Sequence, residues 1–110
     1  MSERSDRALL GDIRESIQRI SEYLADCDYP SFTNDTKTQD AVIRNLEILG
    51  EATKRLSEAF RTKYADVPWK SIAGTRDRLI HDYFGVNLDI VWQIVSIELP
   101  KIINQLPDID

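Results

Sequence analysis

Apolar residues recur every three or four positions in four separate stretches of this chain, the spacing of one face of an α-helix. The first stripe is Leu9, Leu10, Ile13, Ile17, Ile20 and Leu24. The second is Val42, Leu46, Leu49, Leu56 and Phe60, widened by Ile43, Ile48, Ala52 and Ala59. Trp69, Ile72, Ala73, Leu79, Ile80 and Tyr83 make the third, and Ile90, Val91, Ile94, Val95, Leu99, Ile102 and Leu106 the fourth. A strand would need its apolar residues at every second position. No segment reads as a strand pair joined by a hairpin turn, and the low counts of Gly (4) and Pro (4) disfavour a turn-rich all-β fold. The pattern predicts an all-α fold, an antiparallel up-and-down bundle of four main helices. A chain of 110 residues has room for one domain, 1–110. Its core is modest, so oligomerisation would add useful burial.

End signals sharpen the picture. Ser5 or Asp6 is placed to cap the first helix. That helix should fray near Asp26-Cys27-Asp28, and the stretch to Lys37, with Pro30 and no period, reads as a loop. Thr36 and Gln39 fit a capping box for a second helix reaching Lys63-Tyr64. Gly50 sits inside that helix, where a small residue lets another backbone come close. Pro68 fits the first position of a third helix running to Tyr83, with Gly85 as its C-terminal cap. Asn87 caps a fourth helix, which Pro100 should kink or divide.

Charge narrows the functional classes. The chain carries 14 basic and 19 acidic side chains, net −5, which disfavours coating nucleic acid through bulk charge. A local site for one phosphate remains compatible. One cysteine rules out an internal disulfide, and one histidine argues against a zinc site within a single chain. The charged N-terminus is expected to be neither a signal peptide nor an anchor, and no apolar run approaches the roughly 20 residues of a membrane span. A cytoplasmic protein without membrane contact is expected. Within this acidic chain, residues 54–78 are net +4, through Lys54, Arg55, Arg61, Lys63, Lys70, Arg76 and Arg78. This block is either a solvated face or a local anion site.

His81 follows that block, in Arg76-Asp77-Arg78-Leu79-Ile80-His81-Asp82-Tyr83. On a continuous helix Arg76 and Tyr83 lie roughly 20° apart, and Asp77 and His81 form an i,i+4 pair in which the carboxylate can orient the imidazole. Arg76 and His81 are roughly 140° apart on the same wheel. They converge only at a distorted helix end or through a second chain, a physical reason to expect a dimeric site.

Arg76-x4-His81-x-Tyr83 resembles the Arg-x4-His-x-Tyr motif of the HepT-like ribonuclease toxins of the HEPN superfamily. Arg44-Asn45-Leu46-Glu47-Ile48-Leu49-Gly50-Glu51-Ala52 resembles the second-helix signature of that family. Val67-Pro68-Trp69-Lys70-Ser71-Ile72-Ala73-Gly74 is similar to its approach to the catalytic helix, and Phe84-Gly85-Val86-Asn87 with Val91-Trp92 to the segment after it. The similarity runs from about residue 7 to residue 106. Asp77 stands where the family often has asparagine. The resemblance implies a HEPN-like fold and a metal-independent endoribonuclease, cleaving RNA in a cleft between two protomers. It assigns Arg76 and His81 as catalytic residues and Asp77 as a supporting polar group. It implies no cofactor and no metal. The ribose 2′-hydroxyl would be the nucleophile, a histidine titrating near neutrality would move protons, and an arginine would stabilise phosphoryl charge. The expected products are a 2′,3′-cyclic phosphate and a 5′-hydroxyl. The implied partners are RNA, a second copy of the chain, and a minimal nucleotidyltransferase antitoxin. The antitoxin would transfer AMP from ATP to Tyr83, placing charge and bulk beside Arg76.

Two other readings stand beside this one. A non-catalytic HEPN-like module could hold a nucleotide or protein in the same cleft, and the acidic balance suits it. A plain helical dimerisation domain explains the stripes and leaves the polar cluster without a purpose. Cys27 reads as an unpaired thiol in or beside a loop. Trp69 and Trp92 read as core or dimer contacts. Arg44, Glu47 and Glu51 read as helix-surface ion pairs, with a part in shaping the cleft as the sharper reading.

Overall fold

A computed structural model of the chain describes residues 4–82 and 85–108, with the backbone alone for residues 80–82. Helix α1 spans Asp6–Tyr23. Ser5 is its cap, the hydroxyl accepting from the Ala8 N–H at 3.1 Å. Asp6 turns elsewhere: its carboxylate accepts from the backbone N–H of Ser57 at 2.8 Å and from the Ser57 hydroxyl at 2.6 Å.

The stretch expected as a loop holds a short helix, α2 (Tyr29–Thr33), capped by Asp28 and pinned by the buried Phe32. Five residues are too few to display a period. Helix α3 spans Thr36–Arg55. The expected Thr36 capping box does not form. Asp35 is the cap, accepting from the Thr38 N–H at 3.1 Å and the Thr38 hydroxyl at 2.6 Å. A carboxylate one residue earlier is the better acceptor at a helix N-terminus. Gln39 is thereby released to donate to the carbonyls of Phe32 and Thr33 at 2.9 and 3.1 Å.

The second predicted helix does not continue to residue 63. It breaks at Leu56, which turns extended, and Ser57 caps a separate α4 (Glu58–Lys63). Ser57 is held at this break from both sides, donating to Asp6 and accepting from the Phe60 N–H at 3.1 Å. These bonds set the end of α3 beside the start of α1, so the two long helices run antiparallel.

The third predicted helix departs furthest from expectation. Pro68 occupies the cap position rather than the first helical turn. Two short helices follow, α5 (Trp69–Ala73) and α6 (Thr75–Leu79), separated by Gly74. Helix α6 stops four residues before Tyr83. The chain then enters a strand, β1 (Ile80–Asp82), paired antiparallel with β2 (Gly85–Val86). Ile80 faces Val86 and Asp82 faces Gly85, with an irregular register between. The strand pair overturns two expectations, a helix through Tyr83 and the absence of any strand pair. Gly85 has φ +147°, a conformation open mainly to glycine, and serves this return of the chain instead of capping a helix. The Asn87 N–H closes the excursion on the Leu79 carbonyl at 3.0 Å. Tyr83 and Phe84 lie outside the described residues.

Asn87 caps α7 (Leu88–Gln93) as expected, accepting from the N–H groups of Asp89 and Ile90 at 3.0 and 3.2 Å. Pro100 divides the last helix through a π-helical turn, Ile94–Glu98, before α8 (Leu99–Gln105). Proline has no N–H for the carbonyl one turn back, and the helix widens just ahead of it. The Ser96 hydroxyl donates to the Trp92 carbonyl at 2.5 Å within this turn. Arg14 donates to the carbonyls of Leu106 and Pro107, which sets α8 against α1.

The core follows the predicted stripes. Ile13 of α1 and Val42, Leu46 and Leu49 of α3 are fully buried, with Ile72, Leu79, Val91 and Ile94 closing over them. Gly50 fulfils its predicted role: a Cβ there would lie 3.5 Å from the Ile72 carbonyl and 3.6 Å from that of Ala73. Trp69 is buried against Phe60, its indole N–H donating to the Tyr64 carbonyl at 2.9 Å. Trp92 is half-buried against Tyr29 and Phe32. Among the described residues no helix is long and apolar enough to cross a membrane. The architecture is all-α, with one small two-stranded excursion.

Candidate active site

That excursion begins where the predicted catalytic segment lies. Thr75 opens α6, its buried hydroxyl donating to the Ile72 carbonyl at 2.6 Å, and Leu79 anchors the other end in the core. Between these anchors Arg76 is exposed and lines a cleft of about 390 Å³. Arg44, Glu47, Glu51 and Arg55 of α3 line the same cleft, as do Arg4 just ahead of α1 and Asp12 within it.

Helix geometry explains how one element supplies four charged groups. Relative to Arg44, positions 51 and 55 fall within about 20° on the helix wheel and position 47 about 60° away. Val42, Asn45, Leu46, Leu49 and Thr53 occupy the buried face. Helix α3 is therefore core on one side and cleft wall on the other.

Arg4 is paired with Asp12 at 2.8 Å. Among the described residues no ion pair engages Arg44, Arg55 or Arg76, nor Glu47 or Glu51. The helix-surface pairing expected for Arg44, Glu47 and Glu51 is thus absent among them. These side chains face a shared space, and three guanidinium groups meet two carboxylates there. The basic block divides accordingly. Arg55 and Arg76 serve the cleft, whereas Lys63 lies over the Tyr64 ring at 5.4 Å. Arg78 points away from Arg76 by about 200° of helix rotation. It donates from Nη1 and Nη2 to the two oxygens of Glu98 at 2.8 and 2.6 Å. These hydrogen bonds hold the Glu98 carboxyl below its ordinary 4.5, against the opposing effect of burial.

Asp77 is exposed on α6 and does not line the cleft. The backbone of His81 lies on β1, two residues beyond the end of α6. The helical offset expected for Asp77 with His81 therefore does not apply, and the one expected for Arg76 with Tyr83 falls on a residue outside those described. The 140° separation of Arg76 and His81 disappears as well, because the chain between these residues changes from helix to strand. Arg4 is a cleft residue that the sequence does not reveal. It precedes the first periodic stripe, and no spacing marks it. Arg44 and Arg55 are visible in the sequence as an i,i+11 pair on one helix face.

Comparison of the sequence with known proteins places it in a family. Residues 13–109 match the family model described as Ribonuclease HepT-like. A Methanocaldococcus jannaschii protein bearing an RNase name is 46% identical over 109 residues, spanning 99% of this chain and 90% of that one. A Thermococcus cleftensis protein named "Probable ribonuclease HepT" is 41% identical over 99 residues, 90% of each chain. A Caldanaerobacter subterraneus protein with an RNase name is 40% identical over 106 residues, covering 96% of this chain and 95% of its own. No solved structure gives a significant match. With a family match across most of its length and relatives at this level of identity, the chain belongs to the HepT-like ribonuclease family.

Proposed function

We propose that this chain is a metal-independent endoribonuclease toxin that acts as a cytoplasmic homodimer. A partner nucleotidyltransferase antitoxin silences it by adenylylating Tyr83. The observation that carries the reading is the position of Arg76, in an arginine-lined cleft and just before the chain switches from helix to the strand bearing His81.

The chemistry needs only the chain and the RNA. The neutral imidazole of His81 takes the proton of a ribose 2′-hydroxyl. The 2′-oxygen attacks the adjacent phosphorus, a new 2′-O–P bond forms, and the P–O5′ bond breaks. The departing 5′-oxygen takes a proton from the imidazolium of His81 of the partner subunit. The products are a 2′,3′-cyclic phosphate and a 5′-hydroxyl. Arg76 donates to the phosphoryl oxygens as their charge builds. Asp77, exposed at the start of this segment, has a supporting electrostatic role. An AMP group on Tyr83 adds negative charge to the segment that begins at Arg76 and competes with RNA phosphate.

A second reading, a non-catalytic nucleotide- or protein-binding module, draws on the net charge of −5. It uses the arginines and leaves His81 without a task. The test is cleavage of total cellular RNA in EDTA by the wild type beside His81→Ala, with the intact mass of each sample measured. Cleavage by the wild type alone, leaving cyclic phosphate ends, is the expected result. An unmodified wild-type dimer that leaves RNA intact overturns the nuclease reading in favour of the binding module.

A further inference from the structure

The cleft wall formed by α3 carries its charges in a fixed order: Arg44, Glu47, Glu51, Arg55, positive at both ends and negative between. We propose that this face is an RNA track, with Arg44 and Arg55 each holding one phosphate that flanks the scissile one. The two glutamates between them turn the scissile phosphate away from α3 and toward Arg76. The inference rests on the ribonuclease reading and extends it to residues outside the Arg76–His81 motif.

Distance separates the two arginines into two subsites. Eleven residues at 1.5 Å each put their backbones about 16 Å apart along the helix. One guanidinium spans the two oxygens of one phosphate, so this separation calls for two phosphates of an extended strand. Both side chains are exposed, and neither is in an ion pair among the described residues. Each can therefore meet a phosphate without first releasing a protein carboxylate. Arg76 enters the same cleft from α6, which gives the scissile phosphate a third guanidinium.

The glutamates decide where phosphate cannot lie. Glu47 and Glu51 are also outside any ion pair among the described residues. A phosphate opposite them meets like charge. A ribose hydroxyl or a base N–H meets a carboxylate acceptor. The phosphate between the two held ones therefore turns away from the acidic middle, toward Arg76 in the same cleft, and ribose or base faces the glutamates.

The test uses the full-length protein and a labelled single-stranded RNA with one main cleavage position, with KM measured across a range of salt. Arg44→Gln with Arg55→Gln should raise KM at least about tenfold, with the larger effect on KM than on kcat. The slope of log KM against log salt should fall by about 1.4, since each phosphate of a single strand that is no longer neutralised removes roughly 0.7. A double lysine replacement should restore most of that slope. Glu47→Gln with Glu51→Gln should lower KM and, by letting the scissile phosphate turn toward α3 and away from Arg76, lower kcat as well. An active wild type whose arginine variant keeps both KM and salt slope overturns the track and leaves the ribonuclease reading standing. A glutamine-for-glutamate variant with unchanged KM and kcat overturns the role of the glutamates. A wild type that neither binds nor cleaves RNA removes the ribonuclease reading itself, and the track with it.

Discussion

Arg78 and Glu98 meet side by side, two nitrogens on two oxygens, and tie α6 to the π-helical turn. The pair fixes the helix that carries Arg76 to a turn 20 residues further along the chain. About a third of each side chain remains open to water, so solvent screens the attraction. Replacing Glu98 by glutamine should cost on the order of 1–2 kcal/mol in denaturant melts near neutral pH. The sign of its pH dependence follows from the lowered carboxyl pKa. Stability from this pair is fully present above the ordinary value of 4.5 and is lost as pH falls through the lower folded value. The gap between wild type and Glu98→Gln should therefore narrow as pH falls below 4.5. A gap that stays constant to pH 2 would contradict the assignment.

Gly50 gives a two-sided stability prediction. The space for a Cβ ends at ordinary contact distance, 3.5 Å from the Ile72 carbonyl. Alanine should fit and stabilise α3 by up to about 1 kcal/mol through helix propensity. Leucine should push α5 away from α3 and cost roughly 1–3 kcal/mol. Thermal melts of the two variants read the difference directly.

For catalysis, Arg76→Ala should lower the rate of RNA cleavage by about 10²–10³-fold, as loss of one charge-stabilising donor does. His81→Ala should lower it by about 10²–10⁴-fold, the usual range for an acid–base group. Arg76 is exposed, so its variant should melt like the wild type. A drop in activity matched by a drop in melting temperature would point to unfolding instead.

The division of labour between protomers is open to a mixed-dimer experiment. A dimer with one wild-type and one His81→Ala protomer should retain far less than half the wild-type rate if each cut needs both imidazoles. Full activity per dimer would show that one suffices.

Tyr83→Phe should resist adenylylation by the partner nucleotidyltransferase while still cleaving RNA. Intact mass after incubation with ATP and the partner measures the first effect, and residual cleavage the second. A phenylalanine variant that still gains AMP would move the acceptor to another residue.

The long elements are legible in the sequence because their period is sustained. Over α1 and α3 the buried apolar residues from Leu9 through Ile20 and from Val42 through Leu49 are ones the stripes name, while the buried polar Ser16 and Asn45 are not. The Pro100 division is also legible, because a missing N–H has a fixed consequence. Short elements are not. Leu79 and Tyr83 fit a helical spacing, but the backbone beyond Leu79 pairs across to Gly85 and Val86, a choice side-chain spacing does not encode. Arg76 stands out through its motif, and Arg4 only through the fold. The contact between Asp6 and Ser57, 51 positions apart, likewise needs three dimensions to appear.

The π-helical turn changes the phase of the last helix. One residue more per turn rotates everything after it by about 100° relative to an unbroken α-helix. Before the turn, Trp92 leans on Tyr29 and Phe32; after it, α8 lies along α1, where Arg14 holds its end. One continuous rod thus serves two neighbours on different sides. Deleting a single residue between Ile94 and Glu98 would restore a uniform helix and force it to abandon one neighbour. The same deletion would carry Glu98 away from Arg78. The helix bearing Arg76 would then lose its tether, although nothing near the cleft had been touched.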